Sequence, residues 1–459
     1  MSSSVAVSSL GPNAPGPRGG LFLGSLFEAR RDPLVFFQKV VEEHGDFVAV
    51  RFGPIRYLMI NDPDGARHVL VDNHKNYVKS RYYQGLKLVL GEGLLTSEGD
   101  FWRRQRRLAQ PAFHKDRLAS FASTMASDTA AMLERWRGAN VDPRVDVHHE
   151  MMRLTLRIVT RTLFSTDSDA EADEVGDAMS IAIEHVNEYA EAIIRVPTWI
   201  PTPKNLRFAR ARRTLDALVL RIIDERRKAK DKPNDLLSML MSAQDEETRE
   251  QMTDRQLRDE VMTLVAAGHE TTANLLTWTF YLLSQHEEVA VRLRRELASV
   301  LGGRQPSLED LPRLVFTRAV LDEALRLYPP AWIFERQAVA DDQIGGFRVR
   351  RGTIVAISPY AIHRHRAYWD NPLMFDPDRF SSASASTRPK YAYLPFGGGP
   401  RLCIGNSFAL METQIILAMV AAAWKLDLAP DCRVELAPSV TLRPRHGLVM
   451  VRSRLEVAD

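Results

Sequence analysis

Apolar positions along this chain recur mostly at helical spacing and alternate only in short stretches. Phe47 to Phe52 and Ile55 to Ile60, joined by Gly53-Pro54, predict a β-hairpin. Asp62-Pro63-Asp64 predicts a capped helix start. Asn73 to Ser97 shows weak periodicity and several glycines, and reads as a long, partly ordered loop. From Arg117 to about Lys230 helix follows helix without a repeat period. The Pro-broken connection Ile193 to Pro203, carrying Trp199 and Ile200, is either a buried turn or a hinge for a lid. The charge run 226–233 reads as a solvated linker. A helix of about 50 Å is expected over Thr253 to Gln285. Another over Leu321 to Leu327 is stopped by Pro329-Pro330. Gly345 to Ile357 and Arg443 to Val451 read as strands, with Pro438 to Leu442 entering the pocket from below. Asn406 to Ala418 reads as a helix buried on most of its surface. The sum is a mainly α chain with a smaller β region, its β-rich portions at about 47–60, 345–357 and 430–452. Residues 1–20, rich in Ser, Pro and Gly, read as a loose tail, and 21–459 as a single domain.

Composition narrows the function classes. With 45% hydrophobic and 26% charged residues, the chain is an ordinary globular sequence. The net charge of +3 gives no argument for nucleic acid as a partner. Two cysteines, Cys403 and Cys432, exclude a disulfide framework, a four-cysteine iron–sulfur cluster and a Cys-rich zinc site, and fit a reducing compartment. There is no Gly-x-Gly-x-x-Gly fingerprint, so electrons for any redox chemistry must come from outside the chain. The N-terminus lacks the basic and apolar regions of a signal peptide, and no uninterrupted apolar run reaches about 18 residues. No membrane span is expected, and a cytoplasmic location follows.

The densest chemistry lies at Phe396-Gly397-Gly398-Gly399-Pro400-Arg401-Leu402-Cys403-Ile404-Gly405. Glycines and proline forbid a helix there and bend the loop, which then meets the helix beginning near Asn406. Unpaired N–H groups at a helix N-terminus favour a thiolate. Glycines let a flat ligand approach the backbone, and Arg401 can meet an anionic group on it. Elsewhere, Trp102 and Arg106 stand four apart on one helix face; alone they read as a surface arginine on a core tryptophan. Their neighbours Arg103, Arg104 and Arg107 make either a solvated face or a docking patch. In the long helix, Ala266-Ala267-Gly268-His269-Glu270-Thr271-Thr272 weakens the midpoint, which marks a functional bulge or a close helix–helix contact. His269 points away from Glu270 and takes no ligand role; His363 and His365 read as surface residues.

Phe-x-x-Gly-x-Arg-x-Cys-x-Gly resembles the haem-binding loop of the cytochrome P450 family. Four further motifs stand in that family's order: Trp102/Arg106, Ala267 to Thr272, Glu323/Arg326 and Arg379. The resemblance runs from about Pro15 to Val451. It implies the cytochrome P450 fold, with haem b (iron protoporphyrin IX) between the long central helix and the cysteine loop. It implies Cys403 as the iron ligand, with Phe396, Arg401 and Gly405 in the cofactor loop. Trp102, Arg106 and Arg336 would meet the propionates, and Ala267 the distal face of the cofactor. Glu270 and Thr271 match the acid–alcohol pair that supplies protons during oxygen activation. Glu323, Arg326 and Arg379 would form a buried ionic triad fixing the loop under the haem.

The implied activity is a haem-thiolate monooxygenase of the soluble, bacterial type. It would insert one oxygen atom from O2 into an apolar molecule such as a fatty acid, terpenoid or steroid. Electrons would come from a ferredoxin or flavodoxin with its reductase, and the chain is expected to be a monomer. Pocket candidates are Tyr82, Tyr83, Leu86, Leu88, Leu94, Ala267, Trp332, Ile333 and Leu442. Arg81 could pair with a carboxylate, although an exposed loop arginine is the plainer reading. The alternatives are a peroxide-driven peroxygenase or an isomerase, neither of which needs the Glu270/Thr271 pair, and a non-enzymatic haem-based sensor.

Overall fold

The hairpin at the start of the chain forms as its alternation predicts: Phe47–Phe52 pairs antiparallel with Ile55–Ile60. In the computed structural model that hairpin opens a five-stranded sheet. Ile55–Ile60 pairs parallel with Ile354–Ile357, which pairs antiparallel with Phe334–Ala338, and that strand with Tyr77–Lys79. Ile354–Ile357 is an unbroken apolar run buried at every position, as an interior strand requires. Leu58, Ile60, Val69, Val355, Ile357 and Leu394 form the core beside the sheet. The structure describes residues 11–455 except 21, 114, 139–141, 167–171, 193–195, 231–234, 245–248 and 381–386.

The chain divides into two compact units. The first, Met1–Arg81, Ala331–Met374 and Ser386–Cys403, holds this sheet and the cysteine loop. The expected loose tail lies outside the described residues up to residue 10. From there on it is tied down: the Ala49 amide donates to the Pro15 carbonyl (2.7 Å), and the Arg348 amide to the Pro12 carbonyl (2.9 Å). Strand-edge pairing holds this segment despite its Pro- and Gly-rich composition. His363, expected at the surface, is fully buried, and its Nε2 accepts the Leu394 amide at 3.0 Å. A backbone donor, invisible in a sequence, takes the ring inside. His365 keeps an edge position, 2.9 Å from Asp46.

The second unit, Tyr82–Pro330, Phe375–Ala385 and Ile404–Asp459, carries most of the helices. Its centre is Asp254–Gln285, opened by a reciprocal capping box of Thr253 and Gln256. Val147–Leu163 packs along it, and a Cβ on Gly268 would stand 2.9 Å from Val159, so glycine sets how closely the two helices approach. The midpoint is continuous α-helix, which decides for the helix–helix contact over the bulge. Asn406–Ala423 is long and apolar enough by composition to cross a membrane (mean hydropathy 1.4), but 67% of it is buried inside the protein as a core helix. Three- and two-stranded sheets complete the unit, Arg144–Asp146 with Val449–Arg454 and Trp424–Leu428, and Leu436–Pro438 with Leu442–Pro444.

Three further sequence expectations are corrected. Asn73 to Ser97 is not a loop: it contains Tyr77–Lys79 and the helix Tyr83–Leu90, elements too short to show a period. The helix Pro203–Lys228 runs into the supposed linker, and Arg226 is buried, ion-paired with Asp235 and donating to the Phe164 carbonyl; residues 231–233 of that run lie outside the described residues. Trp199 is 80% exposed, which removes the buried-turn reading of its connection; residues 193–195 lie outside the described residues.

Candidate active site

In the first unit, the cysteine loop is closed by the Cys403 amide, which donates to the Phe396 carbonyl at 3.0 Å. Gly399–Arg401 makes one 3-10 turn, and the helix Asn406–Ala423 begins three residues after the cysteine. Gly399 has φ +64°, and a Cβ there would overlap the Leu70 carbonyl oxygen at 1.9 Å; one on Gly398 would meet the Tyr391 ring at 2.5 Å. These two glycines admit the protein's own chain, a different reason from the ligand approach expected of them. Cys403 and Leu402 are exposed, and Phe396 and Arg401 are half-buried. Arg336 is buried in Phe334–Ala338, donating to the Glu335 carbonyl at 2.9 Å.

In the second unit, the middle of the central helix opens for one turn. Around Ala267 the helix is otherwise buried, yet Ala267 is exposed and Ala266, Gly268 and Thr271 are half-exposed. The Thr271 hydroxyl donates to the Ala267 carbonyl at 2.7 Å. Its proton is thereby committed to the backbone, and its oxygen remains an acceptor. Glu270 is buried; Thr441 Oγ1 donates to its Oε1 at 2.6 Å. Burial raises the Glu270 carboxyl above the ordinary range, opposed by the Thr441 bond and the charge of Arg443. His269 is also buried and is held near 4 by desolvation, so it is a neutral core histidine.

The second unit also gathers the three ionic residues. Arg326 Nε lies 2.6 Å from Glu323 Oε2 and its Nη2 2.8 Å from Oε1, while Arg379 Nε lies 3.3 Å from Oε1. The Asp376 amide adds a fourth bond to Oε1 at 2.9 Å. Glu323 and Arg326 are wholly buried. Trp102 is buried and Arg106 half-buried on Gly99–Ala109. Of the pocket candidates, Tyr82, Tyr83, Leu86, Leu88 and Ile333 keep part of their surface accessible, whereas Leu94, Trp332 and Leu442 are buried. Trp332 packs edge-on against Phe37 with ring centres 6.1 Å apart. The Leu442 carbonyl accepts from Trp278 Nε1 at 3.0 Å.

Sequence reasoning missed the partners of Glu270. Thr441, Asn274 and His148 come from a hairpin, the next helical turn and another helix, and no linear spacing links them. It also missed Glu260, buried beneath the loop after Tyr83–Leu90, whose Oε2 accepts the Leu94 amide (3.1 Å) and whose Oε1 accepts from Gln105 Nε2 (3.0 Å).

The mainly α chain with small sheets is the fold class that the resemblance of the sequence implies. Residues 14–451 match the family model described as cytochrome P450, and the chain belongs to that family. Cyclooctatin synthase of Streptomyces melanosporofaciens is 38% identical over 92% of each chain. Cyclooctat-9-en-7-ol 5-monooxygenase of the same organism is 37% identical over 89% of this chain and 88% of its own. Pentalenene oxygenase of Streptomyces avermitilis is 35% identical over 94% and 95%. The protein is a monooxygenase that binds haem b. Cys403 fits that group: its side chain is exposed on a loop closed by its own backbone amide, so a sulfur ligand is accessible there.

Proposed function

We propose that this cytochrome P450 hydroxylates a terpenoid, using electrons from a separate ferredoxin or flavodoxin. The substrate class rests on relatives named cyclooctat-9-en-7-ol 5-monooxygenase and pentalenene oxygenase. The chemistry rests on one observation, the acid–alcohol pair Glu270–Thr271 at the accessible turn of an otherwise buried helix.

Haem bound through a thiolate supplies dioxygen activation and O–O cleavage. Cys403 would hold the iron from a loop closed by the backbone bond of its amide to Phe396. Trp102, Arg106, Arg336 and Arg401 would meet the propionates, and Phe396 and Gly405 would border the loop. Thr271 offers a hydroxyl oxygen whose own proton is held by Ala267, so it receives and orients a proton donor. Burial raises the Glu270 carboxyl above its ordinary range, which favours the protonated form that a proton donor needs. Tyr82, Tyr83, Leu86 and Leu88 on or beside Tyr83–Leu90 would bind apolar substrate and exclude water. Glu323, Arg326 and Arg379 would hold the loop scaffold by their buried charges.

The test is a screen of cyclic terpene hydrocarbons and alcohols, fatty acids and steroids by the Soret shift of the resting enzyme, followed by turnover under labelled O2. A terpenoid that shifts the band and gains one labelled oxygen is the expected result. Shifts confined to fatty acids or steroids would overturn the substrate class, and product without label would overturn the dioxygen reaction.

A further inference from the structure

A hydrogen-bonded chain ends at Glu270 and starts at His148, near the beginning of Val147–Leu163. His148 Nε2 lies 3.1 Å from Asn274 Oδ1, Asn274 Nδ2 lies 3.1 Å from Thr441 Oγ1, and Thr441 Oγ1 lies 2.6 Å from Glu270 Oε1. Asn274, Thr441 and Glu270 are buried, so each depends on its neighbours for its polar partners. The hairpin carrying Thr441 is itself pinned. The Leu442 amide donates to the Pro330 carbonyl (2.9 Å), and Trp278 Nε1 donates to the Leu442 carbonyl (3.0 Å).

The chain has a polarity. A hydroxyl carries a single proton, and Thr441 can give it to Glu270 because it receives one from the Asn274 amide. Asn274 turns its amide nitrogen to Thr441 only with its oxygen toward His148. That oxygen needs a donor, so the ring proton of His148 must sit on Nε2. Burial lowers the His148 pKa, with the charges of Arg443 and neighbouring His149 acting in the same sense and Asp146 and the Asn274 bond opposing, which favours the neutral ring.

The geometry points to Thr441, Asn274 and His148 as positioning residues that commit Glu270 Oε1 as an acceptor and so fix the transferable proton of this carboxyl on Oε2. This deepens the proton-supply role of Glu270 proposed above and rests on it. When Oε2 gives its proton to a hydrogen-bonded water, the carboxylate that remains keeps the Thr441 bond, and a proton taken up from bulk solvent restores Oε2. Thr271, its hydroxyl proton held by the Ala267 carbonyl, has the complementary polarity of an acceptor.

Two measurements on the holoenzyme test this. In the diamagnetic ferrous carbon monoxide form, nitrogen–proton correlation spectra should show His148 neutral with its proton on Nε2. A proton on Nδ1 would overturn the assigned polarity, and this result stands even if a variant does not fold. With a surrogate ferredoxin system, Thr441→Val should raise peroxide released per NAD(P)H several-fold, and Thr441→Ser should restore wild-type coupling. Wild-type coupling in Thr441→Val beside an uncoupled Glu270→Gln would overturn the positioning role alone. Wild-type coupling in Glu270→Gln would instead remove the proton role on which it rests.

Discussion

Thr271 shows how one side chain can be prepared for its task by its own helix. The bond to the Ala267 carbonyl leaves its oxygen with lone pairs and no mobile proton of its own. Thr271→Ala should therefore keep haem and substrate binding, seen as an unchanged Soret shift, while peroxide per NAD(P)H rises several-fold. Unchanged coupling would remove its part in proton supply. At Glu323 the effect is on stability. Removing this carboxylate strands Arg326, which is wholly buried, and Arg379 beside it. Glu323→Ala should cost about 3–5 kcal/mol in urea unfolding; a loss below about 1 kcal/mol would mean that the arginines find water. Helical spacing alone makes only the Glu323–Arg326 pair legible in the sequence; Arg379 and the Glu270–Thr271 pair were legible through the family resemblance. His363 and Arg226 were not, because what buries them is a main-chain partner or a distant carboxylate: the Leu394 amide for one, Asp235 and the Phe164 carbonyl for the other.

Among elements, caps and periodicity made the long helices readable, and the capping box at Thr253 marks the start of the central one. Short elements escaped, as in Asn73 to Ser97, where a three-residue strand and an eight-residue helix carry too few turns for a period. What holds that region to the central helix is also tertiary. Asp259 Oδ2 accepts the Glu92 amide (2.9 Å), and Glu260 accepts the Leu94 amide (3.1 Å). Burial pushes the Glu260 carboxyl up to about 7 from its ordinary 4.5, against the bonds from Leu94 and Gln105. The native state thus holds this proton more tightly than the unfolded chain does. Its contribution to stability is complete below pH 4.5 and is lost as pH rises through about 7. The full swing is roughly 3 kcal/mol. Glu260→Gln should shrink the fall in Tm between about pH 5 and about pH 8; an undiminished fall would place the titration elsewhere.

For the molecule as a whole, a net charge of +3 conceals local asymmetry. Gly99–Ala109 carries four arginines. Arg103 pairs with Asp100, and Arg104 Nη2 donates to the Glu250 carbonyl (3.1 Å). Arg107 stays exposed and borders a surface cavity of about 310 Å³ with Leu108, Pro111 and Met239. If an acidic ferredoxin docks here, Arg107→Glu should slow its association and flatten the dependence of the reduction rate on ionic strength. Stopped-flow reduction at several salt concentrations measures both, and an unchanged salt slope would move the docking surface to another face.

The close approach at Gly399 carries a genetic consequence. With φ at +64° and the Leu70 oxygen 1.9 Å from where a methyl would stand, that codon should tolerate a single amino acid. In a saturation library at codon 399, colonies sorted for the red colour of incorporated pigment should encode glycine and nothing else; coloured alanine or serine clones would show that the loop can give way. The hue of a colony would then report a backbone torsion.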